Sequence, residues 1–592
     1  MEEKRKKLEQ TAKRRFFYIQ SFEAYGGVSG FFDYGPHMCA LQNNFLSIWR
    51  RFFVLEESMQ EVDTAIITPF EVLKSSGHVD KFTDLMCSDA KTGDIYRADH
   101  LVKDWLEREA VTKPEEIKKE MYQTAAKIDS FGLEELQEII EHYQIKSETG
   151  NDLTKVVHFN LMFNTVVGPG GKTQSFLRPE TAQGQFLNFK RLLEANGDKM
   201  PFASAMVGKA FRNEISPRTG LFRVREFLMA EIEHFVHPQE KKHSKFAAEK
   251  ETCIPLLYQR PGDSEQTLHS MKIGDAVAQG VVNNETLGYF IARVFQFLTK
   301  IGIPSKEIRM RQHLPTEMAH YATDCWDAEI NSSFGWIECV GIADRACYDL
   351  SVHSKKTGDK LVARRALPAP ITVEKLVPIV DKKKLGAKFR GKAPALIEQL
   401  TSMSQDELAK RAVNGTMEIT YENEQLHISV EKQTEIQHVE EYTPNVIEPS
   451  FGIGRILYAL LWHSFDLRDQ DEQRAYFRFT PQMAPTKCMI LPLQEDARFT
   501  MITSQLKANI IEQGVSCQSD ESRNSIGRRY ARADEIGVPF CVTIDFDTLN
   551  DQSVTIRERD SCAQIRVLIE RVPRLLADLA AERVLFTQLA NQ

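Results

Sequence analysis

Three short stretches of the chain gather side chains that can act on phosphates and amines. The longest is FRNEISPRTGLFRVREFLMAEIEHF (211–235). It reads as two strands around a turn, yet Arg212, Glu214, Arg223, Arg225, Glu226 and Glu231 stand where a core strand would be apolar. Strand side chains alternate between faces. With strands over 211–215 and 221–231 and a loop SPRTG, one face carries Arg223, Arg225, Phe227, Met229 and Glu231, and Arg212 and Glu214 share a face of the first strand. Guanidinium groups that grip a phosphate make hydrogen bonds worth about 1.5–3 kcal/mol each, and a nearby aromatic ring offers a stacking surface. The set suits a nucleotide held by its phosphate and its base. Taken alone, it also reads as a salt-bridge ladder on a solvated face.

Two further stretches share that logic. LRPETAQG sets Arg178 and Glu180 at a strand end just before a helix. IEPSFGIGR brings Glu448, Pro449, Ser450 and Arg455 to the point where a strand passes through small residues into a helix. Either one alone is accounted for by an ordinary helix start. Together they describe one site.

The elements that must position these residues can be followed along the chain. A charged helix leads to YGGVSGFFDYGP (25–36), whose glycines signal turns and close backbone approach. An apolar helical run spans 44–53, and VDTAIITPFEV (62–72) is a strand carrying Pro69, which belongs at an edge or an interface. The pattern predicts a core over 1–89, a charged helical insertion over 90–158, core again over 159–236, a second helical insertion over 237–305, core over 306–351, a basic insertion or subdomain over 352–440, core over 441–484, and from 485 to 592 a separate domain alternating strand and helix. His313, Glu317 and His320, with Asp324 and Asp327, mimic metal ligands on one helix face; hydrogen-bonded structural histidines are the expectation, and no zinc.

The whole composition bounds the class. The 592 residues exceed one core, and 42% hydrophobic with 27% charged residues is ordinary for a globular protein. A net charge of −8 excludes nucleic-acid binding through bulk charge but not through a local basic face. The ten cysteines form no CxxC pair, so neither a zinc ribbon nor a redox motif is supported, and a reducing compartment is expected. No apolar run reaches the ~18 residues of a membrane span. The opening MEEKRKKLEQTAKRRFF has no apolar leader segment, and Glu2, Glu3 and Glu9 do not suit a transit peptide, so a cytoplasmic location is expected.

The motifs RPETAQG, FRNEISPRTGLFRVREF and EPSFGIGR resemble those of class II aminoacyl-tRNA synthetases, specifically the dimeric eukaryotic and archaeal type of glycyl-tRNA synthetase. SSGHVDKFTD, YRADH, FNLMF, HYATDCWDAE and IADRACYDL fit the same family in the same order. The resemblance spans nearly the whole chain and is weakest in the insertions. It implies an α+β catalytic core with an antiparallel sheet of six or seven strands, then an α/β anticodon-binding domain. It also implies a homodimer formed around Pro69, and partners glycine, ATP with Mg2+ and tRNA(Gly). A side synthesis of diadenosine tetraphosphate fits the same chemistry.

Carried onto this chain, the resemblance assigns Arg212 to the α-phosphate, Phe227 and Arg455 to the two faces of adenine, Asn213, Glu214, Val224 and Cys339 to its surroundings, and Arg223 to the outer phosphates. Cys339 stands where the family more often has an aliphatic residue; its backbone still serves beside Glu338. Glu338 and Glu448 are the magnesium candidates. Glu180, Glu231 and Glu448 with Pro449 and Ser450 surround glycine. Arg212, Arg455 and Glu448 are the catalytic set. Arg218, Arg523, Arg528, Arg529 and Arg532 are expected to meet tRNA. The rivals are a class II enzyme for another small amino acid and a catalytically idle binding protein.

Overall fold

Among the described residues, nine strands join in one sheet: β1 (Gln60–Glu61), β2 (Phe202–Phe211), β3 (Glu226–Val236), β4 (Cys253–Tyr258), β5 (Thr267–Lys272), β6 (Ile308–Gln312), β7 (Asp324–Ser332), β8 (Gly335–Ala346) and β9 (Asn445–Gly452). This is a computed structural model. It describes all residues except 129, 130, 216, 218, 219, 320, 414, 423, 469, 470, 591 and 592. The strand order is β5-β4-β6-β7-β8-β9-β3-β2-β1. The six strands from β6 to β2 pair antiparallel, as do β4 and β5, while β1 joins β2 and β4 joins β6 in parallel.

The sheet's layering follows from alternation. On β3, Ala230, Ile232 and Val236 turn to one side, matched by Phe451 on β9 and Val340 and Ile342 on β8. That side is covered by α1 (Pro36–Trp49), α3 (Glu285–Lys300) and α5 (Ile453–Ser464). Phe53, Phe297 and Phe451 meet there with ring centroids 5.1–5.9 Å apart. Asn284 caps α3 by accepting the Leu287 N–H at 2.9 Å, a contact worth about 1 kcal/mol. The odd-numbered residues of β3, from Phe227 to Glu233, face the other way. There, α2 (Ala182–Leu187) and α4 (Tyr348–Thr357) pack near the charged side chains.

Residues 237–305 depart from the helical reading. Besides α3 they supply the β4–β5 hairpin, which lengthens the six- or seven-strand core to nine, and ten residues of α3 are buried. The turn PGD between two short alternating runs was the signal.

The carboxy-terminal strands β10 (Cys488–Pro492), β11 (Cys517–Ser519), β12 (Phe540–Ile544), β13 (Ser553–Glu558) and β14 (Gln564–Leu568) form a sheet in the order β11-β10-β12-β13-β14. The first three are parallel and the last two antiparallel. Helices α6 (Ala497–Glu512) and α8 (Val572–Ala580) bury Phe499, Leu506, Leu576 and Leu579 in its core, and α7 (Ile526–Glu535) buries Ala533 in a second cluster.

All of this forms one compact unit, Met1–Leu361 with Pro444–Gln592; Val362–Thr443 forms another. In the latter, strands Ala363–Ile379 and Glu424–Tyr442 make a long antiparallel ribbon, and helices Lys382–Phe389, Ala393–Thr401 and Gln405–Arg411 add Leu385, Leu396 and Leu408 to a small core. The ribbon's exposed pairs, such as Arg364–Glu441 at 3.0 Å and Lys432–Glu374 at 3.0 Å, are a solvated salt-bridge ladder.

Candidate active site

The long motif is positioned by the β2–β3 pair, but its charged residues leave the ladder. β2 ends at Phe211 and β3 begins at Glu226, so Arg212 to Arg225 form the connection. Pro217 has no N–H to donate and Gly220 takes a positive φ of 57°. One further bond, Arg212 N–H to the Arg225 carbonyl at 3.0 Å, extends the pairing. Arg225 therefore does not share the face of Phe227: it donates to the Glu214 carbonyl at 2.8 Å and the Ser29 carbonyl at 2.6 Å and holds the loop shut.

A cavity opens above that loop. Arg212, Glu214, Arg223, Val224, Phe227, Glu338, Cys339, Ser450 and Arg455 all line it. Asn213 does not; its N–H donates to the Leu161 carbonyl at 2.7 Å. The Arg212 guanidinium lies 5.3 Å from the Phe82 ring centroid and 5.5 Å from that of Phe227, its Nε reaching the Pro179 carbonyl at 3.3 Å. Arg223 donates to Glu214 at 2.8 Å. Arg455 holds the Phe222 and Glu338 carbonyls at 3.0 and 2.8 Å and stands 3.4 Å from the Glu338 carboxylate. Burial pushes the Cys339 thiol up to about 12, so it stays neutral.

Beside this cavity the sheet carries buried carboxylates. Register places Glu231 against Ser450, and Ser450 against Gly341. Glu231 accepts from Ser450 Oγ at 2.9 Å and from the Thr181 N–H at 2.7 Å. Glu180 accepts from Gln183 at 2.8 Å and faces His78 at 3.3 Å. Glu448 accepts from Arg345 at 2.6 Å, and the same guanidinium reaches both oxygens of Asp349, at 2.8 and 3.1 Å. Burial, then repulsion from Glu180, pushes Glu231 up; Glu448 rises for the same kind of reason against the pull of Arg345. Pro449 is different: alternation turns it to the opposite face, with Ile342, away from Glu448 and Ser450. Glu180, Glu448 and Asp349 thus share Arg345, with His78 beside Glu180, while Glu231 is held by Thr181 and Ser450. In this group the carboxylates outnumber the cations.

A family model described as "tRNA synthetase class II core domain (G, H, P, S and T)" matches residues 169–464, and one described as "Anticodon binding domain" matches 487–579. The chain is 49% identical to "Glycine--tRNA ligase" of Drosophila melanogaster over 99% of this chain and 79% of that one. It is 48% identical to "Glycine--tRNA ligase 1, mitochondrial" of Saccharomyces cerevisiae over 97% and 90%, and 41% identical to "Glycine--tRNA ligase" of Methanocaldococcus jannaschii over 98% of each. The chain belongs to the glycine–tRNA ligase family.

Within this family member, sequence reasoning passed over Arg345 and Asp349, although IADRACYDL spaces them four apart, the distance of one helical turn. Gln183 went unseen too: it donates to Glu180 and to Asp349, at 2.8 and 2.9 Å, and faces His353 at 2.7 Å. Of the arginines expected to meet tRNA, Arg523 and Arg528 are exposed and Arg532 is tied to Asp520 at 2.5 Å. Arg529 is buried, with its donors on the carbonyls of Pro492, Leu493 and Asp520 at 2.6–3.0 Å, so it holds the fold and is not presented to a ligand. Arg218 and His320 lie outside the described residues. His313 and Glu317 stand in a strand end and a turn, not on a helix. His313, Cys325 and Asp327 bring one ligand atom each within 4.8 Å, but Arg311 competes for the Asp327 carboxylate at 3.1 Å. Among the described residues no helix is long and apolar enough to cross a membrane.

Proposed function

We propose that the chain is a glycine–tRNA ligase that activates glycine with ATP and transfers it to the terminal ribose of tRNA(Gly). The observation that carries this reading is the carboxylate pocket short of cationic charge, opening beside an arginine-lined cavity. Glycine offers no side chain, only an ammonium, a carboxylate and small size. The ammonium supplies the missing charge among Glu180, Glu231 and Glu448. Its carboxylate oxygen attacks the α-phosphorus of ATP, the bond to the outer phosphates breaks, and pyrophosphate leaves. Arg212 stabilises the charge that builds on the α-phosphate. Phe227 and Arg455 take the adenine, and Arg223 the outer phosphates. No side chain attacks; positioning and electrostatics do the work in this step.

Magnesium, when bound, supplies charge neutralisation at the phosphates. Glu338 fits that ion, since its side chain is half exposed at the cavity wall. Glu448 fits less well, because Arg345 already holds one of its oxygens. The small sheet of Ile67–Pro69, Thr173–Leu177 and Asn164–Val167 exposes Ile67, Val166 and Val167, which supports a homodimer around Pro69. The exposed Arg523 and Arg528 support tRNA contact by the carboxy-terminal sheet. A cytoplasmic site of action and diadenosine tetraphosphate synthesis belong to the same proposal.

The test is glycine-dependent exchange of pyrophosphate into ATP, set beside alanine and serine. Exchange with glycine alone, lost in Glu231→Gln, is the expected result. No exchange with any of them would reject the reading and favour a binding protein without catalysis.

A further inference from the structure

Glu180 of the carboxylate group and Arg212 of the nucleotide cavity belong to one closed circuit of contacts. Arg212 Nε donates to the Pro179 carbonyl at 3.3 Å, and Glu180 is the next residue. The Glu180 carboxylate stands 3.3 Å from His78 Nε2. The His78 ring lies 5.7 Å from the Phe82 ring, and the Phe82 ring centroid lies 5.3 Å from the Arg212 guanidinium. The activation chemistry assigns no step to His78 or Phe82, yet between them they touch both substrate subsites.

The stretch SSGHVDKFTD sets the two rings side by side. Gly77 opens the turn at a φ of 90°, and the short helix His78–Lys81 follows. The Phe82 N–H donates to the His78 carbonyl at 3.1 Å, which places residues 78 and 82 one helical turn apart on the same side. Burial raises the Glu180 carboxyl, but His78 and then Arg345 outweigh it and hold it below the ordinary range, so it is ionised and only accepts. His78 Nε2 therefore carries the proton that faces it, while Ser76 Oγ, 2.8 Å from Nδ1, holds the ring from behind. The His78 and Glu180 side chains are 11% and 10% exposed, so little water screens their contact. The turn is also fastened to the residue after Arg212. Asn160 Nδ2 donates to the Val79 carbonyl at 3.0 Å, the Leu161 N–H to the Phe82 carbonyl at 3.1 Å, and the Asn213 N–H to the Leu161 carbonyl at 2.7 Å.

We propose that the turn His78–Phe82 is the link through which glycine and ATP strengthen each other's binding, His78 positioning Glu180 and Phe82 positioning Arg212. The proposal rests on the ligase reading. Glycine's ammonium loads the circuit at Glu180, and the α-phosphate of ATP loads it at Arg212. Fixing either side chain restricts the shared turn and, through it, the other. The second substrate then meets a partner already held, and the ordering cost falls on the first alone. Direct attraction between ammonium and phosphate also couples the two substrates, but that part does not depend on the turn.

The experiment uses the full chain with α,β-methylene-ATP, which cannot yield an adenylate. Calorimetry gives the glycine Kd with and without saturating analogue, and the ratio of the two is the coupling factor. About fivefold or more is expected in the unaltered protein. Phe82→Leu keeps an apolar side chain but removes the ring face. Its glycine affinity without analogue is expected to stay within about threefold, since Glu180 and His78 are untouched, while its coupling factor falls towards one. Phe82→Tyr returns the ring and is expected to restore the factor. His78→Leu reads the other end: its affinity for the analogue alone is expected to stay within about threefold and its coupling factor to fall likewise, which keeps the test decisive if Phe82→Leu does not fold. A coupling factor near one in the unaltered protein, a factor unchanged in either leucine variant, no recovery in Phe82→Tyr, or glycine affinity without analogue lost in Phe82→Leu would overturn the proposal. Absence of glycine-dependent pyrophosphate exchange in the unaltered protein would instead reject the ligase reading beneath it.

Discussion

Arg345 on β8 and Arg529 on α7 are both nearly sealed from solvent, at 1% and 2% exposure, yet their partners differ in kind. Arg345 is surrounded by carboxylates: Asp349 and Glu448 in hydrogen bonds and Glu180 at 3.8 Å. Arg529 meets backbone carbonyls at the end of β10 and in the loop at Asp520. Its neighbours are matched as well, Arg557 by the Asp534 carboxylate and Arg559 by Asp560 and the carbonyls of Gly537 and Phe479. In the carboxy-terminal sheet the cations are matched and end in structure. Around Arg345 the anions outnumber the cations, and Ser450, bound to Glu231, lines the neighbouring cavity. Burial of a charge does not mark a site; an unbalanced charge beside open space does.

Breaking the first arrangement has the largest effect. Arg345→Met leaves Glu448, Asp349 and Glu180 buried without their cation, and stability is expected to fall by about 3–5 kcal/mol. Urea unfolding reads the loss, and glycine-dependent pyrophosphate exchange in whatever folds is expected to be abolished. If exchange survives with ordinary glycine dependence, the carboxylates do not depend on Arg345 for their placement.

Breaking the second costs less and touches different chemistry. Arg529→Met removes donors from three carbonyls, an expected loss of about 2–3 kcal/mol, seen as early unfolding of the carboxy-terminal sheet. Pyrophosphate exchange is expected to be unchanged while tRNA charging falls. Loss of exchange would show that the two sheets are not energetically separate.

The contrast also explains what was legible in the sequence. Arg212, Glu214, Arg223 and Phe227 were nameable because they sit in a run whose charge conflicts with a core strand, Ser450 and Arg455 from the turn of small residues before a helix, and Glu338 through the family resemblance alone; all line one cavity. Pro449 and Arg225 were misplaced because contiguity was followed where alternation and a broken ladder decide orientation. Arg345 was missed because, Asp349 apart, its partners are remote: Glu448 is 103 residues away. Arg529 was misjudged because an arginine-rich helix looks the same whether its donors end in water, nucleic acid or carbonyls. The β4–β5 hairpin was hidden by short strands between charged segments.

The smallest effect tests the surplus directly. Glu233 lies two residues from Glu231 on the same face, and the register Glu231↔Ser450 and His234↔Ile447 sets it opposite Glu448. It is fully buried, and neither carboxyl oxygen has a hydrogen-bond partner. Burial, reinforced by Glu448, pushes its carboxyl well above the ordinary range. An acid with a raised folded value is neutral in the folded protein and ionises on unfolding. The stability it contributes is full below the unfolded value near 4.5 and is lost as pH rises towards the folded value. Glu233→Gln is neutral throughout, so it is expected to match the parent near pH 4.5 and to exceed its stability at pH 8. Glycine exchange is expected to persist in Glu233→Gln although the same change at Glu231 abolishes it. A Glu233→Gln protein less stable than its parent at pH 8 would mean that the carboxylate is charged and held by a cation.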